Sequence, residues 1–185
     1  MDAQRLRFCE AAVECFRRKG VAATNLTDIC EETGLSMGAL YKFFDSRESL
    51  MEGVLQMGLS KRNNVLRGKT WAKLRSALVQ SAEQLSGDPF WRELQGVVDW
   101  SERLAALRLK EGRVILQQLK EQIEQFTAAG EIAPRFDARR TAQLIGLIVD
   151  GALTSARTTS DLHVARNELG AYLDFVVGRV AAGSK

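Results

Sequence analysis

The sequence predicts an all-α protein, on three observations. Only two prolines, Pro89 and Pro134, interrupt 185 residues, so few points forbid a helix from continuing. Strict apolar/polar alternation, the mark of a half-buried strand, is scarce, whereas apolar residues recur at i, i+3, i+4 and i+7. The periodic segments are also punctuated by Asn, Ser, Asp and Gly at positions that suit helix caps. With 45% apolar residues, the chain can bury a core without metal or disulfide support. The expected arrangement is an N-terminal three-helix module followed by a larger helical domain, about nine helices in all.

The first helix is expected over Asp2–Lys19. Phe8, Ala12, Cys15 and Phe16 lie on one stripe, Arg17, Arg18 and Lys19 occupy the last turn, where the helix dipole favours cations, and Gly20 caps the end. Two short helices follow, separated by a tight turn. Asn25 suits the N-cap and Asp28 the reciprocating position of a capping box. Leu26, Ile29 and Cys30 supply the apolar face, and Gly34 suits a left-handed C-cap. Ser36 caps the next helix, Met37–Phe44, in which Leu40 and Phe44 should point inward. Met37, Gly38, Tyr41 and Lys42 are then left facing outward. Helix, glycine-containing turn, helix is the helix-turn-helix pattern, whose second helix enters the DNA major groove. Gly38 would let the backbone approach a duplex closely. Lys42 would reach a phosphate or a guanine edge, and Met37 a thymine methyl. Asn25, Thr27, Ser36 and Arg47 sit at helix starts, where backbone N–H groups already favour a phosphate.

A fourth helix opens at Arg47 and runs to about Leu66, with Leu50, Val54, Leu55 and Met57 as its apolar residues. Trp71, Leu74, Leu78, Ala82 and Leu85 form a stripe that stops at Ser86 and Gly87, and Asp88-Pro89 restarts a helix as N-cap and first residue. One helix from Pro89 to Ala129 would be over-long for a small domain, so a break is placed between Trp100 and Leu104. The next helix carries Val114, Ile115, Leu116, Leu119, Ile123 and Phe126 and ends at Gly130. Asp137 caps a helix over Ala138–Thr158 that is apolar nearly all round, and a last helix spans about Val164–Ala181. A helix greasy on both sides needs two neighbours. Together with Gly146, Gly151, Gly170 and Gly178, which allow close approach, these two helices predict an isologous four-helix interface with a second copy.

Composition narrows the function classes. The net charge is only +3, and residues 1–69 hold 11 Lys/Arg against 9 Asp/Glu. DNA affinity must therefore come from the placement of a few groups, not from a general positive field. No apolar run approaches the ~18–20 residues of a membrane span, and the N-terminus is charged, not signal-like. Cys9, Cys15 and Cys30 are odd in number, which points to reduced thiols in a cytoplasmic protein, with redox sensing as the alternative. His163 is the lone histidine. No phosphate-cradling glycine loop, zinc-spaced cysteine pair or nucleophile elbow occurs. No catalytic residue, metal or cofactor is expected.

The run Gly34-Leu35-Ser36-x-Gly38-Ala39-Leu40-Tyr41-x-x-Phe44-x-Ser46-Arg47-Glu48-x-Leu50 resembles the N-terminal signature of the TetR family of bacterial transcriptional regulators. The resemblance extends backwards through Thr24-Asn25-Leu26-x-x-Ile29-Cys30 and Ala11-Ala12-x-x-Cys15-Phe16-x-x-x-Gly20. Cys15 and Cys30 stand where that family usually has Leu and Ala, and Asp45 puts an acid beside the motif. The resemblance implies a repressor that binds a near-palindromic operator in double-stranded DNA as a homodimer. It also implies a phosphate contact from Tyr41 and release by a small-molecule effector in a C-terminal cavity. Residues 1–50 would then bind DNA, the fourth helix would connect over about 47–67, and residues 68–185 would bind ligand and dimerise. The expected cavity lining is Trp91, Leu94, Val98, Trp100, Leu119, Ile123 and Ile145, which suits an apolar or aromatic effector; plain core is the competing reading of each. Arg75, Arg103 and Arg113 are candidate anchors for an anionic group. Two other functions stay open: a regulator of this fold that answers to a protein partner or to no effector, and a helical interaction protein that does not bind DNA. Asp45 and the weak net charge are the hints for the last.

Overall fold

The computed structural model describes residues 2–65, 68–159 and 162–178, except for the side chains at 61–65, 92, 95, 98–100 and 157. Among these residues every regular element is helical: α1 Ala3–Lys19, α2 Leu26–Thr33, α3 Met37–Tyr41, α4 Arg47–Val65, α5 Trp71–Gly87, α6 Pro89–Trp100, α7 Glu102–Ala128, α8 Ala138–Thr159 and α9 Leu169–Val176, the last entered through a π-helical turn at Val164–Glu168. The expected break after Trp100 falls at Ser101, whose hydroxyl accepts the Leu104 N–H at 3.2 Å and so caps α7.

The chain forms two compact units, one of residues up to Lys61 with Pro89–Leu109, the other of Arg62–Asp88 with Lys110 onward. Sequence order alone would keep α6 with the later helices. Its side chains place it with the early ones. The Phe90 ring stacks on Phe16 at 5.7 Å between centroids, and Trp91 lies 4.8 Å from Phe90. Glu93 accepts the backbone N–H groups of Val21 at 2.8 Å and Ala22 at 3.2 Å. Where α7 begins, Arg103 pairs with Glu52 at 2.7 Å and the Ser101 hydroxyl donates to Glu48.

In the second unit, α5 packs against α8 and α9. Trp71 is fully buried. Its backbone N–H donates to Glu131 Oε2 and its indole N–H to Asp174 Oδ1, each at 2.9 Å. The other oxygen of Asp174 accepts Arg75 Nε at 2.8 Å. Two of the glycines expected to admit a second copy serve contacts inside the chain. A Cβ on Gly170 would collide with the Arg75 guanidinium, and Gly178, at φ +76, lies against the Ala133 carbonyl. A Cβ on Gly146 would stand 3.3 Å from Leu116 Cδ2, and of the four only Gly151 opens onto empty space. Helix α8 buries Thr141, Ala142, Ile145, Ala152 and Ala156, and leaves Leu147 68% exposed on its other side. It is therefore two-faced, not apolar all round, because Gln143, Asp150 and Thr154 share that outer side.

Packing is close beneath the helix-turn-helix unit at Gly53 of α4. A Cβ there would stand 2.7 Å from Phe44 Cε1 and 3.0 Å from Cys9 Sγ, and both side chains are enclosed. Gly53→Ala is expected to destabilise the protein by about 1–3 kcal/mol through overpacking. Thermal unfolding checks it: an unchanged Tm would mean that Phe44 can move aside.

Candidate nucleic-acid interface

Capping sets the geometry of the unit. Asn25 Oδ1 accepts the Asp28 N–H and Asp28 Oδ2 accepts the Asn25 N–H, both at 2.9 Å, which completes the capping box. Gly34 closes α2 at φ +67, a conformation glycine adopts without a Cβ clash. Leu35 N–H then returns to Cys30 O at 3.2 Å. Ser36 Oγ accepts the Ala39 N–H at 3.2 Å and starts α3. On α3 and the turn after it, Leu40 and Phe44 are buried at 0% and 1% exposure, while Gly38, Tyr41 and Lys42 lie on the outer surface.

The eight expected contact residues divide accordingly. Gly38, Tyr41, Lys42 and Thr27 are exposed. Asn25 and Ser36 are exposed as well, but their side-chain oxygens cap helices. Met37, expected to point outward, is half-buried with its sulfur 4.0 Å from Cys30 Sγ, because the apolar thioether gains contact along α2. The Arg47 guanidinium donates to the Val21 carbonyl oxygen and so braces the α1–α2 turn. Glu93 holds the same turn from α6, a role that sequence reasoning missed: no local pattern links residues 71 or 72 positions apart.

Charges at this face are largely balanced within it. Lys19 pairs with Asp28 at 2.5 Å and Arg18 with Glu32 at 2.8 Å, and Arg7 donates to Thr33 O at 2.9 Å. Asp45 is held below the ordinary carboxylate range by hydrogen bonds from Ser49 and Ser46. The three cysteines are buried and reduced. Burial pushes the Cys9 thiol up to about 11 and raises Cys15 and Cys30 as well, so they stay neutral, poorly nucleophilic thiols near pH 7.

The second unit contains a cavity of about 410 Å³ walled by α5, α7 and α8. Leu119 and Ile145 line it, with Leu78, Ile115, Leu116 and Leu153 among the other apolar walls and Ser81, Gln143 and Asp150 as polar ones. Ile123 is fully buried but off the wall. Trp91 and Leu94 belong to the other unit, where Trp91 covers Gly58 and Leu94 is core. The side chains of Val98 and Trp100 lie outside the described residues. Of the proposed anion anchors, Arg75 is held by Asp174 and Arg103 by Glu52, and Arg113 is exposed off the wall. His163 is exposed, with Nε2 3.2 Å from Glu168 Oε1. Among the described residues no group of three or more His, Cys, Asp or Glu could hold a metal ion, and no helix is long and apolar enough to cross a membrane.

A short helix set behind a glycine turn, offering a polar tip from a buried anchor, defines a helix-turn-helix unit. Residues 8–54 match the family model for bacterial regulatory proteins of the tetR family. The HTH-type transcriptional regulator YfiR of Bacillus subtilis (strain 168) is 32% identical over 89 residues, 45% of this chain and 43% of that protein. The match thus spans less than half of that relative's length. Among solved structures, the reduced form of E. coli NemR superimposes with a TM-score of 0.77 at 15% identity, covering 98% of this chain and 100% of that one. The triclosan complex of SmeT, from Stenotrophomonas maltophilia, does so with 0.71 at 21% identity, covering 98% and 94%. The N-terminal quarter of the chain thus carries the module that this family model describes, and the solved structures share the fold of the whole chain.

A hydrogen bond from the Asn25 backbone, reinforced by Lys19, holds the Asp28 carboxyl below its ordinary value of 3.8. A carboxyl depressed in this way stabilises the folded chain above that ordinary value and loses the effect as pH falls through its folded-state value. Asp28→Asn is expected to lower Tm at pH 7, with the gap to the wild type closing below about pH 4. A gap that stays constant from pH 7 to pH 3 in thermal melts would exclude the carboxylate as its source.

Proposed function

We propose that the chain is a transcriptional repressor that binds near-palindromic duplex DNA as a homodimer in the cytoplasm and lets go when a small effector occupies the second unit. In this reading residues 1–50 contact DNA, the fourth helix connects over about 47–67, and residues 68–185 dimerise and bind effector. The observation that carries the reading is Gly38. A Cβ added there would meet nothing nearer than Ser36 Oγ at 3.9 Å, so no contact within the chain calls for glycine. A helical glycine costs up to about 1 kcal/mol against alanine. A duplex pressed on this face supplies the missing reason. Tyr41 and Lys42 flank it for the backbone or a base edge, with Thr27, Asn25 and Ser36 toward the phosphates.

Dimerisation is supported by apolar bulk left on two neighbouring helices, Leu147 on α8, which also lines the cavity, and Phe175 on α9, which are 68% and 77% exposed. A second copy placing the same face against it would cover both. Two reading helices meet successive major grooves when held about 34–36 Å apart. An effector acts by binding one spacing better than another. The largely apolar cavity suits one, and the SmeT neighbour was captured with triclosan.

Gly38→Ala is expected to keep or raise Tm yet weaken binding to DNA from upstream of the gene about tenfold or more. Lys42→Ala is expected to lower the slope of log K against log salt by about 1. Fluorescence anisotropy at several salt concentrations measures both, and wild-type behaviour of the two variants would remove this face as the reader. Phe175→Glu is expected to yield monomers in sedimentation with a loss of operator affinity. Dimers of unchanged stability would place the interface elsewhere.

A further inference from the structure

We infer that the DNA-reading unit is completed by a residue far along the chain: Glu93 of α6 is a positioning residue that sets the start of α2 for contact with phosphates. The inference rests on the reading of Gly38, Tyr41 and Lys42 as the DNA face. Glu93 lies beyond residues 8–54, the segment that matches the family model. Its Oε1 nevertheless accepts two successive N–H groups of the α1–α2 turn, from Val21 at 2.8 Å and from Ala22 at 3.2 Å. Val21 is 1% exposed, so without the carboxylate its N–H would have no ready access to water. Arg47 of α4 holds the carbonyl of the same residue. From there the turn reaches α2 in few steps. Thr24, itself buried, donates its hydroxyl to Gly20 O at 2.8 Å, and the next residue, Asn25, is the N-cap of α2. Fixing Val21 and Ala22 therefore fixes where Asn25, Thr27 and the first free N–H groups of α2 stand.

Helix α6 is firmly seated on this unit, so Glu93 works from a fixed base. Phe90 stacks on Phe16, and Trp91 fills the notch at Gly58 of α4, where a Cβ would collide with the indole. Just past α6, the Ser101 hydroxyl donates to Glu48 and Arg103 pairs with Glu52 at 2.7 Å. Glu93 is exposed, so it is the two N–H groups of the turn, more than enclosure, that orient its carboxylate. By charge alone a carboxylate near a DNA face opposes the approach of phosphate. Its hydrogen bonds and its charge thus act on DNA affinity in opposite directions, and a variant that keeps the acceptor but drops the charge separates them.

Fluorescence anisotropy of the full-length protein tests the assignment, on duplex DNA from upstream of the gene and on a scrambled duplex of equal length. Thermal melts first fix a temperature at which every variant is fully folded, so that a loss of stability alone does not lower the measured affinity. Glu93→Ala is expected to weaken binding to both duplexes about tenfold. The ratio between the duplexes should stay as in the wild type, because phosphate contacts carry no base readout. Glu93→Gln, which keeps an acceptor oxygen, should bind both duplexes at least as well as the wild type. Wild-type affinity in Glu93→Ala, or a loss in Glu93→Gln equal to that in Glu93→Ala, would overturn the positioning role. Lys42→Ala tells the two readings apart. If it weakens binding while Glu93→Ala does not, the DNA face stands and only this inference falls; if neither variant changes affinity, the face falls with it.

Discussion

A helix of five residues has no stability of its own, because nucleation costs more than so few hydrogen bonds return. Helix α3 persists because Leu40 and Phe44 are sunk into the first unit. Phe44 meets Phe8 edge-on, with ring centroids 6.5 Å apart, and the Arg5 guanidinium sits 5.1 Å from the centre of the Phe44 ring. Phe43 adds a tilted contact with Phe8 at 6.3 Å. With the inner stripe pinned at i and i+4, the outer residues have no freedom to turn in. The exposure of Gly38, Tyr41 and Lys42 is thus a consequence of burial on the other side.

The same unit shows how a turn is held by elements far away in sequence. Backbone groups between α1 and α2 have no helical partners and must find others. The Val21 carbonyl accepts from Arg47 of α4, and the Val21 and Ala22 N–H groups donate to Glu93 of α6. With the Phe16–Phe90 stack beside them, these bonds tie α6 to the early helices. A residue read as a phosphate contact therefore has an internal duty, and a carboxylate with no motif around it becomes a brace.

In the second unit, similar residues have separate fates. Gly170 yields to an arginine, Gly178 adopts a left-handed backbone against Ala133, and Gly151 faces empty space. Apolar residues on α8 divide likewise, with Ile145 enclosed and Leu147 bare. A helical period tells which residues share a face. It does not tell how many neighbours that face will have.

What the sequence determined by itself was local: the all-helical class, the capping box at Asn25 and Asp28, the glycine turn at Gly34, the start at Ser36, and the inward pair Leu40 and Phe44. Each depends on backbone groups or side chains within about four positions of one another, so spacing was enough. Only the tertiary structure decided that Met37 lies along Cys30, that Arg47 and Glu93 grip one turn, that α6 joins the first unit, and that the cavity takes Leu119 and Ile145 but not Trp91 or Leu94. Those outcomes depend on which distant surfaces meet. Contact between residues tens of positions apart is chosen by the packing of the whole chain, and it leaves no period in the sequence to read.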